Sequence, residues 1–234
     1  MYKGKKVLAM IPARGGNDGL KKMNMRELGG KPLIYYTIKA AQSCEFIDRL
    51  IVSTEDQIIA DYCQSLGVEV PFLRSGQLTS NSVVMEPIID EALNFFRAKG
   101  EKFDILINLY PNAPFKDKEL IRDFADKAQD CDLVIPLFGH RNYFWEVTKA
   151  ELTLMIDKKR TTRQQTIKKY EELGGIYAYN LASERWRGGP GAKIGYRELD
   201  FHDSRMVNSI YDLIILDRLV RLPKSLISDL LKNE

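Results

Sequence analysis

Short runs of unbroken apolar residues alternate along this chain with stretches in which apolar residues recur every three or four positions. Val7-Leu8-Ala9-Met10-Ile11 holds no polar position. That is the pattern of a central parallel strand covered on both faces. Leu50-Ile51-Val52-Ser53, Asp104–Leu109 and Asp132–Leu137 have the same strand character, and Gly174-Gly175-Ile176-Tyr177-Ala178-Tyr179 returns to it late in the chain. Helical spacing fills the intervals. Lys31-Pro32 opens the first helix, with the proline near its first turn. Thr54 is the expected cap of the second, whose Ile58, Ile59, Tyr62, Cys63 and Leu66 fall on one face and which Gly67 ends. Pro87–Phe96 and Lys118–Gln129 read as two more helices, and Ser209–Leu231 as an amphipathic helical region interrupted at Pro223. Strands separated by helices of these lengths predict an α/β fold, a doubly wound and mostly parallel sheet. Such sheets bind ligands beyond the carboxyl ends of their strands. The loops after Ile11, Ser53, Leu109 and Leu137 are therefore the expected seats of chemistry.

Between about His140 and Tyr170 the rhythm breaks. Trp145, the alternating Leu152-Thr153-Leu154-Met155-Ile156 and a basic polar run from Lys158 to Lys169 succeed one another there. We read residues 140–170 as an excursion from the sheet, an arm that contacts a second subunit, inserted in a single domain of residues 1–234; a long loop-and-helix insertion with no partner is the alternative reading. No internal repeat or low-complexity segment interrupts that domain.

Composition narrows the function classes. The chain has 234 residues, enough for one sizeable core. Its formal net charge of +3 describes a near-balanced surface, which does not fit a general nucleic-acid binder. Cys44, Cys63 and Cys131 are odd in number and far apart, with no CxxC spacing, so free thiols of a reducing cytoplasm are expected rather than zinc or disulfides. The apolar runs are of strand length, well short of the roughly 20 residues a membrane-spanning helix needs. Lys3, Lys5 and Lys6 precede Val7–Pro12, but that run is too short for a secretory leader. A cytoplasmic protein with no membrane partner is the expectation.

The most informative segment is Ile11-Pro12-Ala13-Arg14-Gly15-Gly16-Asn17-Asp18-Gly19-Leu20-Lys21-Lys22-Met23-Asn24. Its glycines allow backbone N–H groups to approach phosphates closely, and Arg14, Lys21 and Lys22 add positive charge. It is neither of two common phosphate loops. GxGxxG fails because the glycines stand at 15, 16 and 19, and GxxxxGK[ST] fails because Gly15 and Gly19 are four apart. A plain surface turn is the alternative reading.

"IPARGGNDGLKKMN…LGGKPLIYYTIKAA", "LIVSTEDQIIADYCQSLGVEVPFLR", "LYPNAPFKDKELI", "GGIYAY" and "VNSIYDLIIL" together resemble the acylneuraminate cytidylyltransferase family, in order and in spacing, over nearly the whole chain. The resemblance implies a nucleotide-diphospho-sugar transferase-like fold, a homodimer, and Mg²⁺ as cofactor. It also implies transfer of CMP from CTP to an acidic nonulosonic or sialic-type sugar, with release of pyrophosphate. By the same likeness Arg14 and Lys22 are the catalytic candidates facing the triphosphate. Ala13, Arg14, Gly15, Gly16, Asn24, Arg74, Ser80, Asn81 and Ser82 are the nucleotide-binding candidates, and Gly19 shapes the loop. Tyr110, Asn112, Gln164, Gln165 and Tyr177 are the candidates around the acceptor. Asn208, with Asp203, is the candidate for the metal.

The chain departs from the family pattern in four places. Asn17, Asp18 and Gly19 stand for S-K-G, and Met23 stands for a second lysine. Asp18 so near a triphosphate opposes binding unless Lys21 or Lys22 compensates. Met206 and Asn208 stand for the two aspartates of D-I-D-[ST]; an amide oxygen can serve a hard cation, but a thioether cannot. Tyr110 stands for a glutamine and Leu173 for an asparagine near the acceptor. Two alternatives follow: a nucleotidylyltransferase of the same fold for another base or acceptor, such as GTP and a sugar phosphate, or a nucleotide-binding homologue without activity. His140 and His202 lie in no triad or metal spacing and read as loop residues, and Trp145 and Trp186 as packing or interface residues.

Overall fold

The computed structural model describes residues 1–16, 19–80, 82–148, 151–155, 162 and 164–222. The chain opens with β1 (Val7–Pro12) and passes through the short antiparallel pair β2 (Glu27–Leu28) and β3 (Lys31–Pro32) into α1 (Leu33–Gln42). β4 (Arg49–Ser53), α2 (Gln57–Ser65), α3 (Met85–Ala98), β5 (Ile105–Leu109), α4 (Lys118–Lys127) and β6 (Leu133–His140) follow. After them come the hairpin β7 (Trp145–Val147) and β8 (Leu152–Leu154), then β9 (Lys169–Glu172), β10 (Ile176–Asn180), β11 (Ile194–Glu198) and α5 (Ile210–Arg221).

A seven-stranded sheet runs β11-β6-β10-β5-β1-β4, with β9 also paired to β6. β1 is parallel to both β4 and β5, and β11 is parallel to β6. β10 lies antiparallel between β5 and β6, so β6 and β11 point the same way as β1. Only β9 and β10 run against the rest among the described strands. The sheet is mostly parallel, as the apolar runs predict.

β1 explains why its sequence tolerates no polar residue. Val7, Ala9 and Ile11 face a core shared with Ile34 and Ile38 of α1, Ile59 of α2 and Phe124 of α4. Leu8 and Met10 face the opposite core, with Ile89, Leu93 and Phe96 of α3. Successive side chains of a strand point to opposite faces, so a strand with helices on both sides needs apolar residues at every position. Cys44 and Cys63 are buried in the first core as free thiols; burial pushes them up to about 11 and about 12.

Three expectations need correction. Thr54 is not the cap of α2. The Asp56 side chain accepts the Ile58 and Ile59 N–H groups at 2.8 and 3.2 Å, while Thr54 Oγ1 accepts from the Asp56 N–H. The helix starts at Gln57, and only the residue next to it reaches those donors. Ile58 is 61% exposed, because it sits about 100° round the helix from the buried Ile59. The strand expected to end at Leu137 runs on to His140, since Leu137–His140 gain β9 as an antiparallel partner. The loop expected after Leu137 therefore begins after His140.

The excursion after His140 contains the β7–β8 hairpin and rejoins the sheet through β9. Asn17, Asp18, Asn81, Arg160, Thr161, Arg163 and the segment from Pro223 onward lie outside the described residues. Among the described residues no helix is long and apolar enough to cross a membrane.

Candidate active site

A cavity of about 290 Å³ opens beyond the carboxyl ends of β1 and β5. Pro12, Arg14, Met23 and Asn24 line it from the glycine loop, and Tyr110, Pro111 and Asn112 from the loop after β5. Arg74 and Ser80, with Leu78, Val83, Met85 and Ile88, close the third side. The structure thus brings together six of the residues singled out from the sequence: Arg14, Asn24, Arg74, Ser80, Tyr110 and Asn112.

The glycine loop is held from both ends. The Asn24 amide donates to the Arg14 carbonyl at 2.8 Å, so the asparagine that closes the loop fixes the backbone of the arginine that opens it. The Ala13 N–H donates to the Ser53 carbonyl at 2.9 Å, continuing the β1–β4 ladder, and Ala13 is buried. The Gly15 N–H donates to Glu55 Oε1 at 2.7 Å. A Cβ on Gly15 would lie 2.3 Å from Asp56 Oδ2, so this close approach admits only glycine. Gly16 faces open space.

Arg74 is held almost as tightly. Its backbone N–H donates to the Thr54 carbonyl at 2.8 Å. Nε donates to Ser53 Oγ at 3.1 Å and Nη2 to the Ser53 carbonyl. Nη1 lies 3.8 Å from Glu55 Oε2. Burial lowers the Arg74 pKa, Glu55 and Glu91 oppose that shift, and Arg14 adds to it. Ser80 Oγ and Ser82 Oγ lie 2.7 Å apart, so the two serines form one polar lip.

Opposite the arginines, the loop after β5 is shaped by glycine and lysine. The Tyr110 N–H donates to the Gly175 carbonyl at 2.9 Å. Gly175 has φ +108°, and a Cβ there would lie 2.8 Å from Ala113 Cβ. The Lys116 side-chain nitrogen is buried and donates to the carbonyls of Tyr110 at 2.8 Å and of Ala113. Burial, with the Glu86 charge next in effect, raises the Tyr110 pKa, so its phenol stays protonated and able to donate at neutral pH. The Tyr177 ring packs edge-on to Tyr110 at 5.9 Å without lining the cavity, and its hydroxyl lies 3.0 Å from both Glu172 Oε1 and the Leu173 carbonyl.

Asn112 links this cavity to a neighbour of about 250 Å³ lined by Leu173, Met206, Asn208 and Asp212. The Asn112 amide donates to Asn208 Oδ1 at 3.2 Å, and the Val207 N–H donates to the Asn112 carbonyl at 2.7 Å.

The remaining candidates stand apart from the cavity. Lys22 is exposed, with φ 54°, and the position next to it, Met23, lines the cavity instead. Gln164 and Gln165 are exposed on the excursion, where the Gln164 carbonyl accepts from Arg141 at 3.1 Å. Asp203 belongs to a surface group with Asp200 and His202, and the His202 ring stacks on Phe115 at 4.4 Å. His140 lies 2.9 Å from Glu171 at the end of β6. Sequence reasoning missed Glu55 and Lys116, which shape the site without lining it. The glutamate follows Thr54 directly after a strand end, which was a usable signal; a lone lysine in a loop offered none.

The resemblance read from the sequence implies a divalent metal. The described residues do not fit a resident hard cation at the family's positions. Met206 offers only sulfur, and Asn208 offers one neutral amide oxygen that also accepts from Asn112, so neither position supplies a carboxylate. Asp212 Oδ2 is engaged by the backbone of Asn208 and Ser209 in a capping box. Among the described residues that line the larger cavity, none is a carboxylate.

The arrangement sets two guanidinium groups against neutral hydrogen-bonding side chains, a site for a polyanion beside a polar acceptor. Comparison with known proteins gives a consistent picture. The chain is 42% identical to the CMP-N,N'-diacetyllegionaminic acid synthase of Legionella pneumophila over 118 residues, half of each chain. It is 25% identical to the pseudaminic acid cytidylyltransferase of Campylobacter jejuni over 180 residues, 74% of this chain and 77% of the relative. Its fold superposes on a CMP:2-keto-3-deoxy-manno-octonic acid synthetase complexed with CTP, with a TM-score of 0.69 at 16% identity, over 92% of this chain and 98% of the other. The sequence profile of the cytidylyltransferases matches residues 8–174, and the chain belongs to the cytidylyltransferase family.

Proposed function

We propose that this protein transfers CMP from CTP to an acidic sugar of the nonulosonic class and so activates that sugar for surface glycan synthesis in the cytoplasm. The observation that carries the reading is the joint lining of one cavity by Arg14, Arg74, Tyr110 and Asn112 in a member of this family. In this reading a sugar hydroxyl oxygen attacks the α-phosphorus of CTP. The bond from that phosphorus to the oxygen bridging the β-phosphate breaks, pyrophosphate leaves with the electron pair, and the hydroxyl proton passes to solvent. Arg14 faces the phosphates and meets the charge that grows on them. Arg74, Ser80 and Ser82 hold the nucleotide, with Asn24 keeping the loop in shape. Tyr110 and Asn112 orient the acceptor. Mg²⁺ enters as part of the nucleotide substrate, and no residue of the chain is assigned to it.

Residues 140–170 act as a dimerisation arm of a single nucleotidyltransferase domain. The exposed Trp145, Val147 and Leu152 of the β7–β8 hairpin support that assignment.

The test incubates the protein with Mg²⁺, each nucleoside triphosphate in turn, and N-acetylneuraminic, legionaminic or pseudaminic acid. Pyrophosphate release matched by a CMP-sugar, selective for CTP, is the expected outcome. Arg14→Ala abolishes turnover while the melting temperature stays near that of the parent. Turnover with another base would move the reading to a different nucleotidylyltransferase, a possibility raised by Tyr110 and Met206 at altered positions. Nucleotide binding without pyrophosphate release from any of the acceptors would identify a homologue that has lost the chemistry.

A further inference from the structure

Glu55 touches both halves of the cavity's positive end without lining it. Oε1 accepts the Gly15 N–H at 2.7 Å. Oε2 is buried, accepts no hydrogen bond among the described residues, and lies 3.8 Å from Arg74 Nη1. The other edge of the Arg74 guanidinium is taken up by Ser53, through Nε and Nη2. The Arg74 side chain is 2% exposed and that of Glu55 22%. A carboxylate oxygen shielded from water and lacking a donor is costly, and a guanidinium edge within 1 Å of hydrogen-bond distance is the donor it lacks. The charge of Glu91 also acts on this arginine. Glu91 Oε1 accepts the Ser75 N–H at 3.1 Å, and its Oε2 is likewise buried without a partner.

We infer that Glu55 is a positioning residue that couples the glycine loop to Arg74, its pair with Arg74 closing when a nucleoside triphosphate enters. This rests on the nucleotide reading of the cavity. Glu55 contacts neither phosphate nor base. It holds the Gly15 peptide with its N–H directed at the carboxylate, so that this N–H is not offered to a phosphate. It also draws Arg74 Nη1 to one fixed place. The carboxylate repels a triphosphate at long range, and that cost is offset only while Arg74 neutralises it. Removing its charge frees Arg74 Nη1 from that place and so loosens nucleotide binding, although a simple charge count would predict tighter binding. The two predictions have opposite signs.

The experiment measures CTP binding by calorimetry and steady-state constants for the parent, Glu55→Gln and Arg74→Lys, singly and combined. Glu55→Gln keeps an oxygen for the Gly15 N–H but turns an amide toward Arg74. We expect it to raise the Kd and KM for CTP about tenfold, the scale of one charge-assisted hydrogen bond. The KM for the acceptor and the melting temperature stay close to the parent's, and kcat changes by less than about threefold. Combined with Arg74→Lys the losses do not multiply, because both changes break one contact. If Glu55→Gln fails to fold, Glu55→Asp keeps the charge on a shorter arm and gives a smaller rise in Kd. A CTP Kd for Glu55→Gln within twofold of the parent, or tighter, overturns the coupling, as do losses that simply multiply. A parent protein that binds no nucleotide overturns the reading of the cavity and the coupling with it.

Discussion

Lys116 shows how much one side chain can decide. It is buried with no carboxylate partner among the described residues, and its nitrogen serves two carbonyls of the loop that carries Tyr110. A neutral amine still has two hydrogens for those two acceptors, so the loop does not require the charge. Burial brings the Lys116 pKa down from 10.5 to about 7. Below about pH 7 the folded and unfolded chains both hold the proton. Between about 7 and 10.5 the unfolded chain holds a proton that the folded chain has lost, so this residue makes stability rise with pH across that window, by up to about 1.4 kcal/mol per pH unit. Tyr110, Tyr177 and Tyr179, all raised by burial, act in the opposite sense as pH passes 10. Urea unfolding at pH 7 and pH 9 checks this: the parent should gain more between the two than Lys116→Met, and equal gains would show that the lysine titrates normally.

Among the elements, the β9–β10 turn does most to set the acceptor side of the site. Gly174 and Gly175 let the chain leave β9, which pairs with β6, and re-enter the sheet as β10, between β5 and β6. At φ +108° Gly175 offers its carbonyl to the Tyr110 N–H. Gly175→Ala adds a Cβ 2.8 Å from Ala113 Cβ in a backbone conformation L-residues avoid. It should cost more than about 1 kcal/mol, lowering the melting temperature by at least about 2 °C. It should also raise the acceptor KM more than the CTP KM, because the loop after β5 moves while the glycine loop does not. An equal rise in both would place the acceptor elsewhere. The alternation of strands and helices was legible because burial on both faces imposes unbroken apolar runs. The cap of α2 was not, since Thr54 and Asp56 are both good cap residues and only the helix start chooses between them.

At the scale of the molecule, the excursion is the feature that a single chain leaves without a purpose. Val147 and Leu152 are 76% and 61% exposed, and they face each other in register across the hairpin. Apolar residues displayed together on an arm mark an interaction surface. Sedimentation of the parent should give a dimer, and Val147→Glu with Leu152→Glu should shift it to monomer with the far-UV spectrum unchanged. A monomeric parent would remove the arm's assigned role. The mostly parallel sheet and the nucleotidyltransferase family were both readable from the order and spacing of segments. Of the site, Arg14, Asn24, Arg74, Ser80, Tyr110 and Asn112 were named from sequence and do line one cavity. Gln164 and Gln165, named by the same likeness, Lys22, named as a stand-in for a missing lysine, and Asp203, named as a carboxylate near the metal positions, lie apart from it. Position along a motif fixes which loop a residue belongs to, but not which way its side chain leaves that loop.

The sequence by itself determined five strands of the sheet (β1, β4, β5, β6 and β10), the burial of β1 and β5 on both faces, and the family, because each is written in local periodicity or in contiguous motifs. Only the tertiary structure decided which polar groups answer one another. Glu55 with Gly15 and Arg74, Lys116 with two carbonyls, and Asn112 with Asn208 come from segments whose distance apart in sequence says nothing about contact. Hydrogen bonds and charge pairs act over a few ångströms, and the packing of the sheet and its loops sets those distances.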